Sequence, residues 1–122
     1  MSRTVPEVAA ALAEVLRQID GLRVHTDPSA TVVPPAVVIG PPALGWAGYC
    51  PDMAPTRARF ALHLVLPSTS RTLELAWQMV PQVAGMAETV DGVTLADAEH
   101  QARPGVWPPD LPAYQIDVDV AL

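Results

Sequence analysis

Residues 114–122 read YQIDVDVAL, nine positions along which apolar and polar side chains alternate. Successive side chains of a β-strand point to opposite faces, so this period of two predicts a strand with one buried face. Ile116 and Val118 would lie on that face, and Asp117 and Asp119 on the other. We therefore expect these residues to be tied into the core of a β-sheet.

A helix is predicted near the start of the sequence. Thr4 and Glu7 have the spacing of a capping box, which satisfies free N–H groups in a first helical turn. From Val5 to Ile19 the apolar residues recur about every 3.6 positions, as on the buried face of a helix. Gly21 is a typical residue just past a helix C-terminus, and we expect it to end this helix.

Extended segments are predicted between residues 22 and 67. The apolar run 36–39 indicates a short strand buried on both faces, and residues 43–66 are typical of a hairpin with its tip at 51–55. The second arm of that hairpin alternates clearly between residues 59 and 66. Its first arm contains Leu44, Trp46 and Tyr49.

A second helix is predicted after Pro67, with Ser68 or Ser70 as its N-cap. We expect Trp77 to lie in the core and Pro81, inside the pattern, to kink or loosen one turn. The apolar stripe comprises Leu73, Ala76, Trp77, Val80, Ala84 and Ala87.

The remaining residues predict one more strand, through Val93 and Leu95 and extending toward Ala98, followed by a proline-rich loop at 103–112. That strand would pair antiparallel with the last one. The order of elements is helix, short strands, hairpin, helix, hairpin, which differs from the alternation of a doubly wound fold. We therefore predict a single α+β domain, residues 1–122, with a mostly antiparallel sheet and two helices packed on one face.

Composition narrows the possible functions. The chain has 122 residues, half of them hydrophobic, and a formal net charge of −6. An acidic chain does not suit a nucleic-acid clamp, which needs a basic stripe. Cys50 is the single cysteine, so an internal disulfide is excluded and a reducing cytosolic setting is the simpler interpretation. Apolar runs are too short to span a bilayer, and no signal peptide is apparent.

Catalytic chemistry finds little support in the sequence. The histidines His25, His63 and His100 do not fall in a known metal-ligand spacing, and Cys50 has no sequence cue for a partner base. The glycines near residue 45 lie among prolines, and the chain contains no lysine for a phosphate loop. We therefore expect a protein that is not an enzyme, with no cofactor and no metal.

Two groups of residues are candidates for a binding role. Asp117 and Asp119, with Asp97 and Glu99 from the preceding strand, would form a solvated face, a wall that repels a polyanion, or partners for arginines of a neighbouring subunit. The loop aromatics Trp46 and Trp107 would be local core or anchors for a partner. The candidate interface residues are Trp46, Tyr49, Met53 and Trp107.

A family resemblance adds to these expectations. The stretches VIGPPALGWAGYC, residues 38–50, and FALHLVLP, residues 60–67, resemble small tail proteins of long-tailed bacteriophages that infect actinobacteria. The order of elements over nearly the whole chain resembles that of phage tail terminator proteins. The resemblance implies a virion structural protein that forms a homohexameric ring, caps the tail tube, stops its polymerisation and joins the tail to the neck.

The same resemblance implies the partners and the location. They are further copies of the chain, the major tail tube protein and a head–tail connector, at the tail–neck junction of a virion assembled in the host cytoplasm. DNA would pass through the ring without specific binding, past Asp97, Glu99, Asp117 and Asp119. A head–tail connector or stopper is the nearest alternative, and a small cytosolic ligand-binding protein or enzyme is a second.

Overall fold

The computed structural model describes residues 4–26, 32–46, 55–95, 102–108 and 110–122, and in these ranges the chain forms two helices and seven strands. The elements are α1 (Val5–Leu16), β1 (Arg23–His25), β2 (Ala36–Ile39), β3 (Ala43–Gly45), β4 (Arg57–Val65), α2 (Thr72–Glu88), β5 (Val93–Leu95), β6 (Ala102–Trp107) and β7 (Leu111–Ala121). The predicted α+β class is confirmed.

All seven strands belong to one sheet, whose centre is the antiparallel pair β4 and β7. These two strands are in register from Arg57 opposite Ala121 to Val65 opposite Ala113. On its other edge, β4 pairs with β3 near its start and with β2 near its end. On the opposite side of the central pair, β7 pairs with β6 in its first half and with β5 near its end. β1 completes the sheet parallel to β2, and the remaining pairings are antiparallel, as the sequence predicts.

The main hydrophobic core combines one face of this sheet with the buried residues of both helices. Phe60, Leu62 and Leu64 of β4 contribute to it, beside Ile116 and Val118 of β7. The helical contributions are Val8, Leu12, Ala13 and Leu16 from α1, and Ala76, Met79, Val83 and Ala87 from α2. The alternation that predicted a buried face for β7 and for the second hairpin arm is confirmed.

Helix α1 begins as its sequence predicts and ends earlier. The Thr4 hydroxyl accepts a hydrogen bond from the Glu7 backbone N–H at 3.3 Å, which is half of the predicted capping box. The helix ends at Leu16, and the following turn reaches Gly21, whose φ is +78°. Gly21 therefore has the left-handed backbone expected of it, but it closes a turn after the helix instead of ending the helix itself.

Both central predictions for residues 36–66 are confirmed. All four residues of β2 are buried, and β3 pairs antiparallel with the start of β4 as the two arms of a hairpin. The β3 strand is only three residues long, and Trp46 follows directly after it. The predicted hairpin tip lies largely outside the described residues, as does Tyr49.

Helix α2 differs from its prediction in its N-cap and in its buried face. It begins at Thr72, Arg71 occupies the N-cap position, and no side chain caps it, so neither Ser68 nor Ser70 has the predicted role. Ala76 and Ala87 are buried as predicted, whereas Trp77 is 84% exposed. The prediction of Trp77 as core is wrong because α2 carries two adjacent apolar stripes, and the sheet covers the one that contains Met79 and Val83.

The proline-rich segment 103–112 was predicted as a loop and is largely a strand. Residues 102–107 form β6, which pairs with β7 from Trp107 opposite Leu111 to Ala102 opposite Ile116. An edge strand tolerates Pro104 because a missing N–H on its outer side leaves no ladder bond unmade. β7 consequently starts at Leu111 and is longer than the predicted strand.

Within the described ranges, neither helix combines the length and the apolar composition that a transmembrane span requires.

Candidate interaction surfaces

The sheet face opposite the helices, here called the open face, carries charges of both signs. Arg59 of β4 lies directly opposite Asp119 of β7, and its guanidinium donates to the carboxylate from Nε at 2.9 Å and from a terminal nitrogen at 3.3 Å. Both side chains are partly exposed, at 55% and 34%. Such a pair contributes about 0.2–1 kcal/mol to stability. Asp119 thus finds an arginine within its own chain.

Asp117, the second predicted carboxylate of β7, lies beside Asp119 on the open face. Its carboxylate accepts a hydrogen bond from the Gln115 side-chain amide at 2.9 Å. Asp97 and Glu99 lie outside the described residues. The structure therefore brings Asp117 and Asp119 onto one face, next to Arg57 and Arg59, and their facing a channel stays a prediction.

A small apolar cluster lies on the open face, near the start of β7. It consists of the buried residues Val38, Val65 and Ala113, with Val32, Trp107 and Leu111 packed against them. The Trp107 ring is tilted by 49° against the His63 ring, at 5.3 Å between ring centroids. Trp107 is therefore at least in part a local core residue, one of the two alternatives that its sequence context left open.

Next to this cluster is a cavity of about 380 Å³, lined by His63, Arg103, Trp107 and Gln115 among others. Burial lowers the pKa of His63, and the nearby negative charge of Asp117 partly opposes that shift. His63 is thus held toward its neutral form. The described residues that line this cavity include no serine, threonine or cysteine.

An apolar groove runs between α2 and the β6–β7 hairpin, on the helix side of the sheet. It encloses about 420 Å³ and is lined by Leu73, Ala76, Trp77, Val80, Pro81, Ala102 and Tyr114. Leu73 is 79% exposed, and Val106, on the same face of β6 as Ala102, is 70% exposed. The exposure of Val106 shows that this part of β6 is left uncovered on the helix side. We call the seven lining residues the α2–β6 groove.

Sequence reasoning missed this groove for two reasons. It assigned Trp77 to the core, and it treated residues 103–112 as a loop. One signal was available. Met79 and Val83 form a second apolar stripe with Ala76 and Ala87, and a helix packed on one sheet cannot bury both stripes. The stripe that contains Leu73 and Trp77 therefore had to face solvent or a partner.

A second apolar site lies at the opposite edge of the sheet, on β3 and the residue that follows it. Leu44 is 46% exposed and Trp46 is 45% exposed. Leu44 is on the helix side of the sheet, opposite Ala58, and we call Leu44 and Trp46 the β3 corner. Trp46 is one of the predicted interface residues, whereas Tyr49 and Met53 lie outside the described residues.

The α2–β6 groove and the β3 corner occupy diagonally opposite corners of the sheet. β3 pairs with Arg57–Arg59 at the start of β4, while β6 pairs with the first part of β7, which lies across from the end of β4. Each corner exposes one tryptophan and at least one aliphatic side chain. Exposed apolar patches of this kind mark protein–protein contacts more often than scattered surface residues do.

A metal centre is not formed by the residues that the structure describes. No group of three or more His, Cys, Asp or Glu side chains in those ranges could hold a metal ion. Cys50 and His100 lie outside them. The charged and apolar surfaces above are therefore the candidates for function.

Comparison with known proteins does not supply a family: no family model matches the sequence, and neither does any curated protein.

Proposed function

We propose that this chain is a structural protein of a phage tail, a tail terminator that assembles into a hexameric ring at the head-proximal end of the tail tube. In that role it stops tube polymerisation and joins the tail to the neck, as part of the virion. It acts by assembly and not by catalysis, and it needs no cofactor. Its partners are further copies of itself, the tail tube protein and the neck connector.

The observation that carries this proposal is the pair of unlike apolar surfaces at opposite corners of one sheet. A closed ring is built from head-to-tail contacts, in which one patch of a subunit meets a different patch of the next. A subunit therefore needs two distinct contact surfaces at separate positions. The α2–β6 groove and the β3 corner, at diagonally opposite corners of the sheet, meet that requirement.

Two further features support the proposal. The stretches 38–50 and 60–67 resemble tail proteins of long-tailed phages, and Leu44 and Trp46 of the β3 corner lie in the first of them. The acidic net charge of −6 suits a ring through which DNA moves without binding. We place Asp117 and Asp119 toward that channel, with Asp97 and Glu99.

The test is native mass spectrometry of the purified chain, alone and mixed with tail tubes of the same virus, with tube lengths measured by electron microscopy. Six copies of 12.9 kDa give a ring of about 77 kDa. We expect that assembly, together with tubes that stop growing and carry the chain at one end. A monomer or dimer that leaves tube growth unchanged contradicts the proposal. A chain found one layer closer to the portal would instead be a head–tail connector.

A further inference from the structure

The α2–β6 groove is an apolar opening bordered by strongly exposed side chains. Trp77 is 84% exposed, which corresponds to roughly 130–210 Å² for a side chain of about 150–250 Å². Leu73 and Val106 beside it are also strongly exposed. One partner of a standard interface contributes about 800 Å², so Trp77 alone supplies about a sixth to a quarter of that share.

The chemistry of the groove restricts what can fill it. None of its lining residues carries a charge, and their polar side-chain groups are the Tyr114 hydroxyl and the Trp77 indole N–H. A charged segment would lose hydration there without gaining a partner. The matching surface must therefore be apolar, and an aromatic side chain would fill such a volume best.

We propose that the α2–β6 groove receives the β3 corner, Leu44 and Trp46, of a second copy of this chain. This inference rests on the proposed ring and names the contact that repeats around it. The corner offers an aromatic and an aliphatic side chain, and it lies diagonally across the sheet from the groove. Each copy then binds one neighbour through its groove and the other neighbour through its β3 corner. No groove contacts another groove, and no corner contacts another corner. The contact forms in solution, without the tail tube.

The test uses two variants that each damage one side of the contact. Trp77→Glu places a negative charge in the α2–β6 groove and leaves the β3 corner unchanged. Leu44→Glu places a negative charge in the β3 corner and leaves the groove unchanged. Val33→Glu is the matched control, because Val33 is 52% exposed and belongs to neither surface. All three add one negative charge at an exposed apolar position. Urea unfolding of each variant checks that the fold is retained, and Trp77→Gln is a second groove variant.

The expected result is complementation. The wild type and Val33→Glu assemble, and each of the other two variants alone needs a concentration more than about tenfold higher. An equimolar mixture of Trp77→Glu and Leu44→Glu has one intact groove and one intact corner. It forms a heterodimer of about 26 kDa, two copies of 12.9 kDa, that cannot extend.

Three outcomes would overturn this contact, and they differ in what they imply for the ring. If Trp77→Glu assembles like the wild type, the groove is not used, while the proposed function stands. If Leu44→Glu alone still dimerises and Trp77→Glu does not, the groove meets another groove. If the wild type is monomeric in solution, the contact is wrong even where the chain still caps tubes, and failure to cap them would remove the proposed function as well.

Discussion

His63 is a described residue whose ionisation is shifted by its surroundings. It lies on the open face of β4, its ring contacts Trp107, and the charge of Asp117 is nearby. Burial disfavours the imidazolium, and Asp117 only partly compensates, so the pKa in the folded chain is below the usual value of about 6.5. Protonation of His63 therefore favours the unfolded chain, which binds that proton more tightly.

A pH dependence of stability follows from that shift. The unfolded chain binds more protons at this position, so the free energy of unfolding falls as pH drops through about 6.5 and stops falling below the folded pKa. We expect the wild type to lose stability between pH 8 and pH 5.5, and His63→Gln to lose less over the same interval. Urea unfolding at the two pH values measures both. Equal losses in the two proteins would contradict this account of His63.

For single residues, the sequence predicted which face of the sheet a side chain occupies better than which side chain lies opposite it. The alternation in residues 114–122 was enough to place Asp117 and Asp119 together, away from the core. It could not reveal that Arg59 lies opposite Asp119, because that pairing depends on the register between two strands 60 residues apart. On this face, Arg59 of the same chain neutralises Asp119, one of the two carboxylates that the structure describes.

Among the elements, α2 shows why a helix can be predicted and its orientation missed. Its apolar residues fall on two neighbouring stripes, and propensity does not say which one the sheet will cover. Leu73 and Trp77 form the larger stripe in side-chain volume, yet Met79 and Val83 are the buried ones. The choice was made by tertiary packing.

The predicted loop at 103–112 was missed for a related reason. Proline and glycine are poor strand formers, so Pro104 and Gly105 argued locally for a turn. Pairing with β7 overrides that preference, since Trp107 reaches the small cluster on the open face from β6. Local composition therefore predicts the strand β7 well and its edge partner poorly.

Pro81 offers a test of strain within an element. It lies at an exposed position in the middle of α2, where it removes one backbone N–H and crowds the preceding turn. We expect Pro81→Ala to raise the free energy of unfolding by about 1–3 kcal/mol, with part of the gain offset by a more flexible unfolded chain. Chemical denaturation measures it. Gln82→Ala, at the adjacent exposed position, is the control and should change stability by less than about 0.5 kcal/mol. A loss of stability in Pro81→Ala would show that the helix depends on the proline.

On the scale of the whole molecule, the two faces of the sheet differ in how much they bury. The helix side forms a continuous core through both helices and the central strands, whereas the buried cluster on the open face has three members under a partial cover. Most of the stability must therefore come from the helix side, because stabilisation scales with the apolar area removed from water. The open face is left free to carry charge and contacts.

This asymmetry predicts unequal effects for two aromatic substitutions. Phe60→Ala removes a fully buried ring from the main core and should lower the free energy of unfolding by about 3–5 kcal/mol. Trp107→Ala removes a partly buried ring from the smaller cluster, and we expect a loss of about 1–3 kcal/mol with cooperative unfolding retained. Equal losses would mean that the open face contributes as much to the fold as the core does.

Because Trp107→Ala keeps a folded subunit, its assembly can be compared with that of the wild type at matched folded fractions. A ring that forms normally under those conditions would assign Trp107 to the fold alone, and a weakened ring would return it to the interface that its loop sequence suggested.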